Sequence, residues 1–202
     1  MKKVLNVGGN SKAIALPKEY EGWEHILLDI DATNHPDIIA DARELTMYPS
    51  EIFDAVYCSH NLEHYYEHDA KKVLKGFYHV LKPDGFVHLK VPDMKAVLKI
   101  MVDNGMDIDD VLYQSQAGPI RFHDVIFGYG VELERSGQDY FAHKSGFTEK
   151  KMLRFLQEAH FPMVYMKTIS DIISMHTLHV LAFKKDEPDP AIMELFELPK
   201  LM

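Results

Sequence analysis

Residues 53–64, FDAVYCSHNLEH, set Ser59, His60, Asn61, Glu63 and His64 directly behind a short apolar run. Imidazole, amide and carboxylate groups this close together can move protons, bind a polar ligand or hold a cation. His60-x-x-Glu63-His64 has the form of the inverted zinc-protease motif HxxEH, and His68 repeats its four-residue step. A metal-dependent hydrolase using His60 and His64 is therefore one alternative. That motif needs an established helix, whereas here it overlaps a strand end, and no distant carboxylate ligand is marked. No resident metal is expected. A second set of residues is spread more widely: Gly8 and Gly9 form a turn that backbone and ligand can approach closely. Asp29 stands about twenty residues further on, where a ribose would need an acceptor. Asp41 follows, placed to contact a base.

These residues are useful only if strands bring them together. Phe53, Ala55, Val56 and Tyr57 read as a strand buried on both faces, as in the middle of a parallel sheet. Residues 3–7, 25–30 and 37–40 read as three further strands, ending at the glycine turn, at Asp29 and Asp31, and at Asp41. In an open parallel sheet, ligands bind beyond the carboxyl ends of the strands. The ends of the first strand and of the strand at Phe53 are expected to lie side by side. Residues 11–16 could begin a helix capped by Ser11 and cut short by Pro17. A helix over 69–81 puts Val73, Leu74, Phe77, Tyr78 and Leu81 on one face, and Pro83-Asp84-Gly85 stops it before a strand over 86–91. Another helix is expected over 94–101. Thr148 caps a later one, with Met152, Leu153, Leu156 and Ala159 inward and Phe155 at the flank. Runs over 161–169 and 175–183 read as a closing antiparallel pair. Strands alternating with helices imply an α/β three-layer fold with a mainly parallel sheet.

Residues 106–145 show no clean periodicity and read as an insertion or lid on a single domain spanning 1–185. His123 and His143 lie there among aromatic residues and glycines, as in a segment that covers a substrate. His25, His79, His88, His160, His176 and His179 fall within periodic elements and read as structural or surface residues. The tail, 186–202, is acidic and broken by prolines, yet Ile192, Met193, Leu195, Phe196 and Leu198 could dock as a short helix. The insertion or the tail could also join two copies of the chain.

The chain has 202 residues, is 47% hydrophobic and carries a formal charge of −9. A sheet-and-helix core of one domain is within its means. Without a basic run, bulk nucleic acid is not an expected partner. Cys58 is the only cysteine, which excludes an intramolecular disulfide and suits a reducing, cytoplasmic setting. No apolar stretch is long enough to span a membrane.

Residues 53–93, FDAVYCSHNLEHYYEHDAKKVLKGFYHVLKPDGFVHLKVPD, resemble the class I S-adenosylmethionine-dependent methyltransferases, through LEH, a helix, LKPDG and a further strand. LNVGG, LLDID, ADARE and HKSGFTEKKMLRFLQEAHF extend the likeness over most of residues 3–183. The resemblance implies a Rossmann-like three-layer sandwich with a mainly parallel seven-stranded sheet and an antiparallel closing strand. It implies S-adenosylmethionine as cofactor, held by Asn6, Gly8, Gly9 and Asn10 at the methionine end. Asp29 and Ile30 fall at the ribose, Asp41 and Ala42 at the adenine, and Ser59 and His60 at the lip of the fourth strand. His64, His123 and His143 are candidates to take a proton from a small-molecule acceptor. The chain departs from the family at Asn6, which replaces an acidic residue, and at Asn10 and Lys12, which replace glycines. A non-catalytic binding module on the same fold is an alternative. A nicotinamide enzyme is disfavoured by the missing glycines.

Overall fold

The computed structural model describes residues 1–115, 118–169 and 176–198. Nine strands are present among them: β1 (Lys3–Val7), β2 (Glu24–Asp29), β3 (Ile38–Ile39), β4 (Phe53–Ser59), β5 (Leu81–Pro92), β6 (Val111–Ser115), β7 (Gly118–Arg121), β8 (Met163–Ile169) and β9 (Thr177–Phe183). Six helices join them: α1 (Glu67–Val80), α2 (Met94–Asp103), α3 (Phe122–Phe127), α4 (Gly130–Ser136), α5 (Glu149–Glu158) and α6 (Pro190–Leu195). Seven strands form one sheet in the order β3-β2-β1-β4-β5-β9-β8. The first five run parallel, and β9 is antiparallel to both β5 and β8. The closing strand expected from the sequence is therefore β9, and it lies inside the sheet rather than at its edge.

Side-chain alternation along the strands separates two cores. Leu5, Val7, Leu28, Val56, Cys58, Leu89 and Val180 face α1 and α5, which supply Val73, Leu74, Phe77, Phe155 and Leu156. On the opposite face, Val4, Ala55, Phe86, Leu181 and Phe183 pack against Tyr20 and Ile192, with Trp23 and Phe196 alongside. A third cluster, Val97, Ile120, Phe122 and Val125, joins α2 to β7 and α3.

Several expectations are corrected. Residues 11–16 form turns rather than a helix, and the first helical piece is a 3-10 turn at Lys18–Tyr20. Six residues ahead of a proline cannot repay the cost of nucleating a helix. Helix α1 ends at Val80, because Leu81 already pairs with Phe53; the chain then bulges and resumes pairing at Phe86 with Ala55. On α5 the inward face is Met152, Phe155, Leu156 and Ala159, all buried, while Leu153 is 37% exposed. The buried positions follow the i, i+3, i+4, i+7 spacing of one helix face, which Leu153 breaks. Residues 106–145 contain regular structure of their own, in the β6–β7 hairpin, α3 and α4. In the expected 175–183 run Met175 lies outside the described residues, as do the last four residues of the tail. Of the remaining tail, α6 docks through Ile192 on the second core.

Candidate functional site

Strand order reverses at β1, which pairs with β2 on one side and β4 on the other. The crevice beyond the carboxyl ends of β1 and β4 is therefore the switch point at which such sheets bind ligands. Val7 pairs with Cys58 there, so the glycine turn and the polar cluster after β4 lie side by side, as expected. Gly8 has φ +69°, and a Cβ at this position would stand 2.1 Å from Asn61 Nδ2. Glycine is needed here both for its backbone conformation and for the close approach of Asn61. A Cβ at Gly9 would likewise strike the Asn6 side chain at 2.1 Å. Asn6 itself is buried under the turn, with Nδ2 3.2 Å from His25 Nε2. Burial and the Lys12 charge lower the His25 pKa. Asn10 donates its backbone N–H to Asp29 Oδ2 at 2.9 Å, tying the glycine turn to the end of β2.

A cleft of about 520 Å³ opens over these strand ends. Gly8, Asn10, Asp29, Ile30, Asp41, His60 and His64 line it together. Asn6 and Gly9 lie behind the turn, and Ala42 is buried against the helical layer; none of these three lines the cleft, nor does Ser59. His123 and His143 are also outside its lining, but the His143 ring stands 4.9 Å from that of His64. His60, His64 and His68 do not share a helix face: β4 ends at Ser59, Leu62–His64 is a 3-10 turn, and α1 begins at Glu67.

Asn61 and Asp31, noted at the strand ends, also line it; sequence reasoning missed Arg43, Tyr65, Tyr66, Asp69, Asp139, Tyr140, Phe141 and Lys144, which complete the lining. The aromatic pair Tyr140-Phe141 beside His143 was the legible signal for the insertion's share. Tyr140 donates its hydroxyl to Asp31 Oδ2 at 3.4 Å, so the segment over 139–141 meets the loop after β2. The acids Asp29, Asp31, Asp41, Asp69 and Asp139 outnumber Arg43 and Lys144. Arg43 is bound to Asp41 and Asp69, and Lys144 lies 3.5 Å from Asp139. Burial works against the Asp41 charge, but the bonds from Arg43 prevail and hold its carboxyl below the usual range. Thr33, through hydroxyl and amide, does the same for Asp31. Asp29 and Asp31 have no cationic partner among the described residues. Such a cleft suits a cationic, hydroxyl-bearing ligand and repels a pyrophosphate.

One wall of the cleft is built from the turn after β4. His64 Nδ1 lies 3.1 Å from the Ala142 carbonyl, and His143 Nδ1 lies 2.8 Å from that of Val125. Glu63, buried between them, accepts the backbone N–H groups of Lys144 and Ser145 at its carbonyl, at 2.8 and 3.1 Å. These bonds fasten residues 144–145 to the cleft wall. Burial opposes the Glu63 charge, but His60, His64 and His143 outweigh it and lower its pKa. Burial also lowers the pKa of His143. Cys58 is fully buried and burial pushes its thiol up, so it is a core residue and not a nucleophile.

Residues 5–89 match the family model described as a methyltransferase domain. No curated protein matches the chain. A SAM-dependent methyltransferase from Archaeoglobus fulgidus is 17% identical, with TM-score 0.57, over 90% of this chain and 86% of that one. The Burkholderia thailandensis 1,6-didemethyltoxoflavin-N1-methyltransferase, solved with S-adenosylhomocysteine, is 18% identical, with TM-score 0.54, over 92% and 72%. A protein from Bordetella parapertussis described as a possible exported protein is 16% identical, with TM-score 0.54, over 94% of this chain. This chain spans 63% of that protein's length. The seven-stranded, mainly parallel sheet is a Rossmann-like fold shared with such solved methyltransferases. The family match thus reaches a methyltransferase domain over residues 5–89, and the neighbours show the fold. Among the described residues no helix is long and apolar enough to cross a membrane.

Proposed function

We propose that the protein binds S-adenosylmethionine in the 520 Å³ cleft and transfers its methyl group to a small-molecule acceptor. The observation that carries this reading is the convergence of Gly8, Asn10, Asp29, Ile30, Asp41 and His60 on one cleft at the switch point. Bound S-adenosylmethionine supplies an electrophilic methyl group on a sulfonium centre. Gly8 and Asn10 present turn backbone to the methionine end, Asp29 accepts from the ribose hydroxyls, and Asp41 with Ile30 flanks the base. The acidic lining attracts the sulfonium and amino charges. His64 lines the cleft and, in the metal-free protein, is the candidate to take the acceptor's proton. His143 supports it from behind, and His123 is left without a role in the step. The insertion, at about 106–146, covers the acceptor through Tyr140 and Phe141 and excludes water. Alignment of acceptor and methyl group supplies most of the rate in an in-line displacement. Enclosure under a short insertion, beside a cleft of this size, supports a small acceptor.

Calorimetric titration with S-adenosylmethionine and S-adenosylhomocysteine, with NAD as control, tests the reading. Both sulfur ligands are expected to bind and NAD to fail. Asp29→Ala should weaken binding about 10- to 100-fold, the worth of one or two charge-assisted hydrogen bonds. A folded protein that binds neither ligand, or whose Asp29→Ala variant binds as the parent does, would overturn it.

A further inference from the structure

Behind the His64 wall, Glu63 is 1% exposed, and neither of its carboxylate oxygens has a hydrogen-bond partner among the described residues. A buried carboxylate without donors is strongly unfavourable unless a cation meets it. His60 Nδ1 lies 3.4 Å from Oε1 but makes no hydrogen bond with it. One ligand atom each from Glu63, His64 and His143 lie within 4.8 Å of one another. The Nδ1 atoms of both rings are engaged with backbone carbonyls, Ala142 and Val125. Donation of Nδ1–H to a carbonyl leaves the lone pair on Nε2, the outer-shell arrangement usual for metal-ligating histidines. The backbone bonds from Lys144 and Ser145 to Glu63 hold the insertion in register, so the third ligand arrives at a fixed place.

We propose that Glu63, His64 and His143 bind a divalent transition-metal ion, with Zn²⁺ the best match to one carboxylate and two imidazoles. Carboxylate oxygen and imidazole nitrogen together favour such ions over Mg²⁺ or Ca²⁺. Bonds of about 2.1 Å in a tetrahedron set ligand atoms about 3.4 Å apart, so small side-chain rotations close the cluster on an ion. Three protein ligands leave a coordination position open, and His64 places that position against the cleft. With the ion bound, His64 is a ligand rather than a proton acceptor, and the ion polarises whatever acceptor group takes the open position.

The metal alone is the probe. Protein freed of metal with a chelator is titrated with Co²⁺ and followed by visible absorption, and Zn²⁺ is then added in competition. One equivalent of Co²⁺ with ligand-field bands, displaced by Zn²⁺, is expected. Glu63→Gln, His64→Gln and His143→Gln should each weaken binding about 100-fold or more, while His68→Gln, in the exposed ring at the start of α1, should not. Circular dichroism identifies any variant that fails to fold, and the near-isosteric Glu63→Gln then decides. No band with the parent protein, or bands retained in all three ligand variants, would overturn the proposal. Titration with S-adenosylhomocysteine on the same samples separates the two readings. Metal binding without cofactor binding would sink methyl transfer alone, and the reverse would sink the metal site alone.

Discussion

Burial of an imidazole beside a lysine makes stability depend on pH. His88, 5% exposed, lies 3.2 Å from the Tyr20 hydroxyl, and burial, with Lys90 and His179, lowers its pKa to about 3. In the unfolded chain an ordinary histidine takes its proton near pH 6.5. Between these values the unfolded state binds the extra proton, so stability is fully present above about pH 6.5 and is lost as pH falls towards 3. The slope from this one group approaches about 1.4 kcal/mol per pH unit. His88→Phe, which keeps a ring among Tyr20, Tyr57 and Phe196, should flatten the fall in urea-derived stability between pH 6.5 and 4.5. Equal slopes for variant and parent would remove His88 from the account. The same scale explains Asn6: an amide paired with a neutral His25 needs no counter-charge, whereas a carboxylate in its place would.

At the scale of elements, α5 separates propensity from packing. Phe155 is fully buried between the helix and the sheet, while Leu153, two residues away, faces outward. Phe155→Ala should cost about 3–5 kcal/mol in chemical denaturation, the range for emptying an aromatic site in a core. Leu153→Ala should change stability by less than about 1 kcal/mol. Comparable losses would mean that the helix is rotated from the face described. The glycine turn is the other instructive element. It is followed by loop rather than helix, so a ligand at Gly8 and Asn10 meets turn backbone and not a helix N-terminus. A phosphate would lose its usual dipole partner, which a sulfonium ligand does not require.

For the whole molecule, the two sheet faces are covered unequally. One carries α1 and α5; the other is closed by Tyr20, Trp23 and the C-terminal segment, where Phe196 contacts Tyr20, Phe86 and His88. Phe196→Ala should therefore destabilise the entire domain, by about 2 kcal/mol, less than a fully buried phenylalanine because the ring is only partly covered. Equilibrium unfolding checks this: a single transition moved to lower urea is expected, and an unchanged midpoint would make the tail a passive appendage. Phe196 is not among the residues lining the cleft, so this variant should bind S-adenosylhomocysteine as the parent does.

Local pattern determined much of this protein. The strands at 3–7 and 53–59, the stop at Gly8, the apolar face of α1 and the Thr148 cap all follow from spacing and residue type, because each is fixed by neighbours within a few residues. Likewise, Asp29 and Asp41 were legible as strand-end acids. Which of the flagged residues share a cleft was decided only by the tertiary structure. Parallel pairing of β1 with β4 sets Asn61 against Gly8, and the sequence cannot express a contact between residues so distant. The insertion is the clearest case. Without periodicity its fold was unreadable, yet its backbone bonds to Glu63 bring His143 beside His64. HxxEH is set aside as a metal motif because it overlaps a strand end, and no α-helix carries it. The cluster now proposed depends instead on a buried carboxylate and a histidine some eighty residues downstream, and long-range packing alone can place those together.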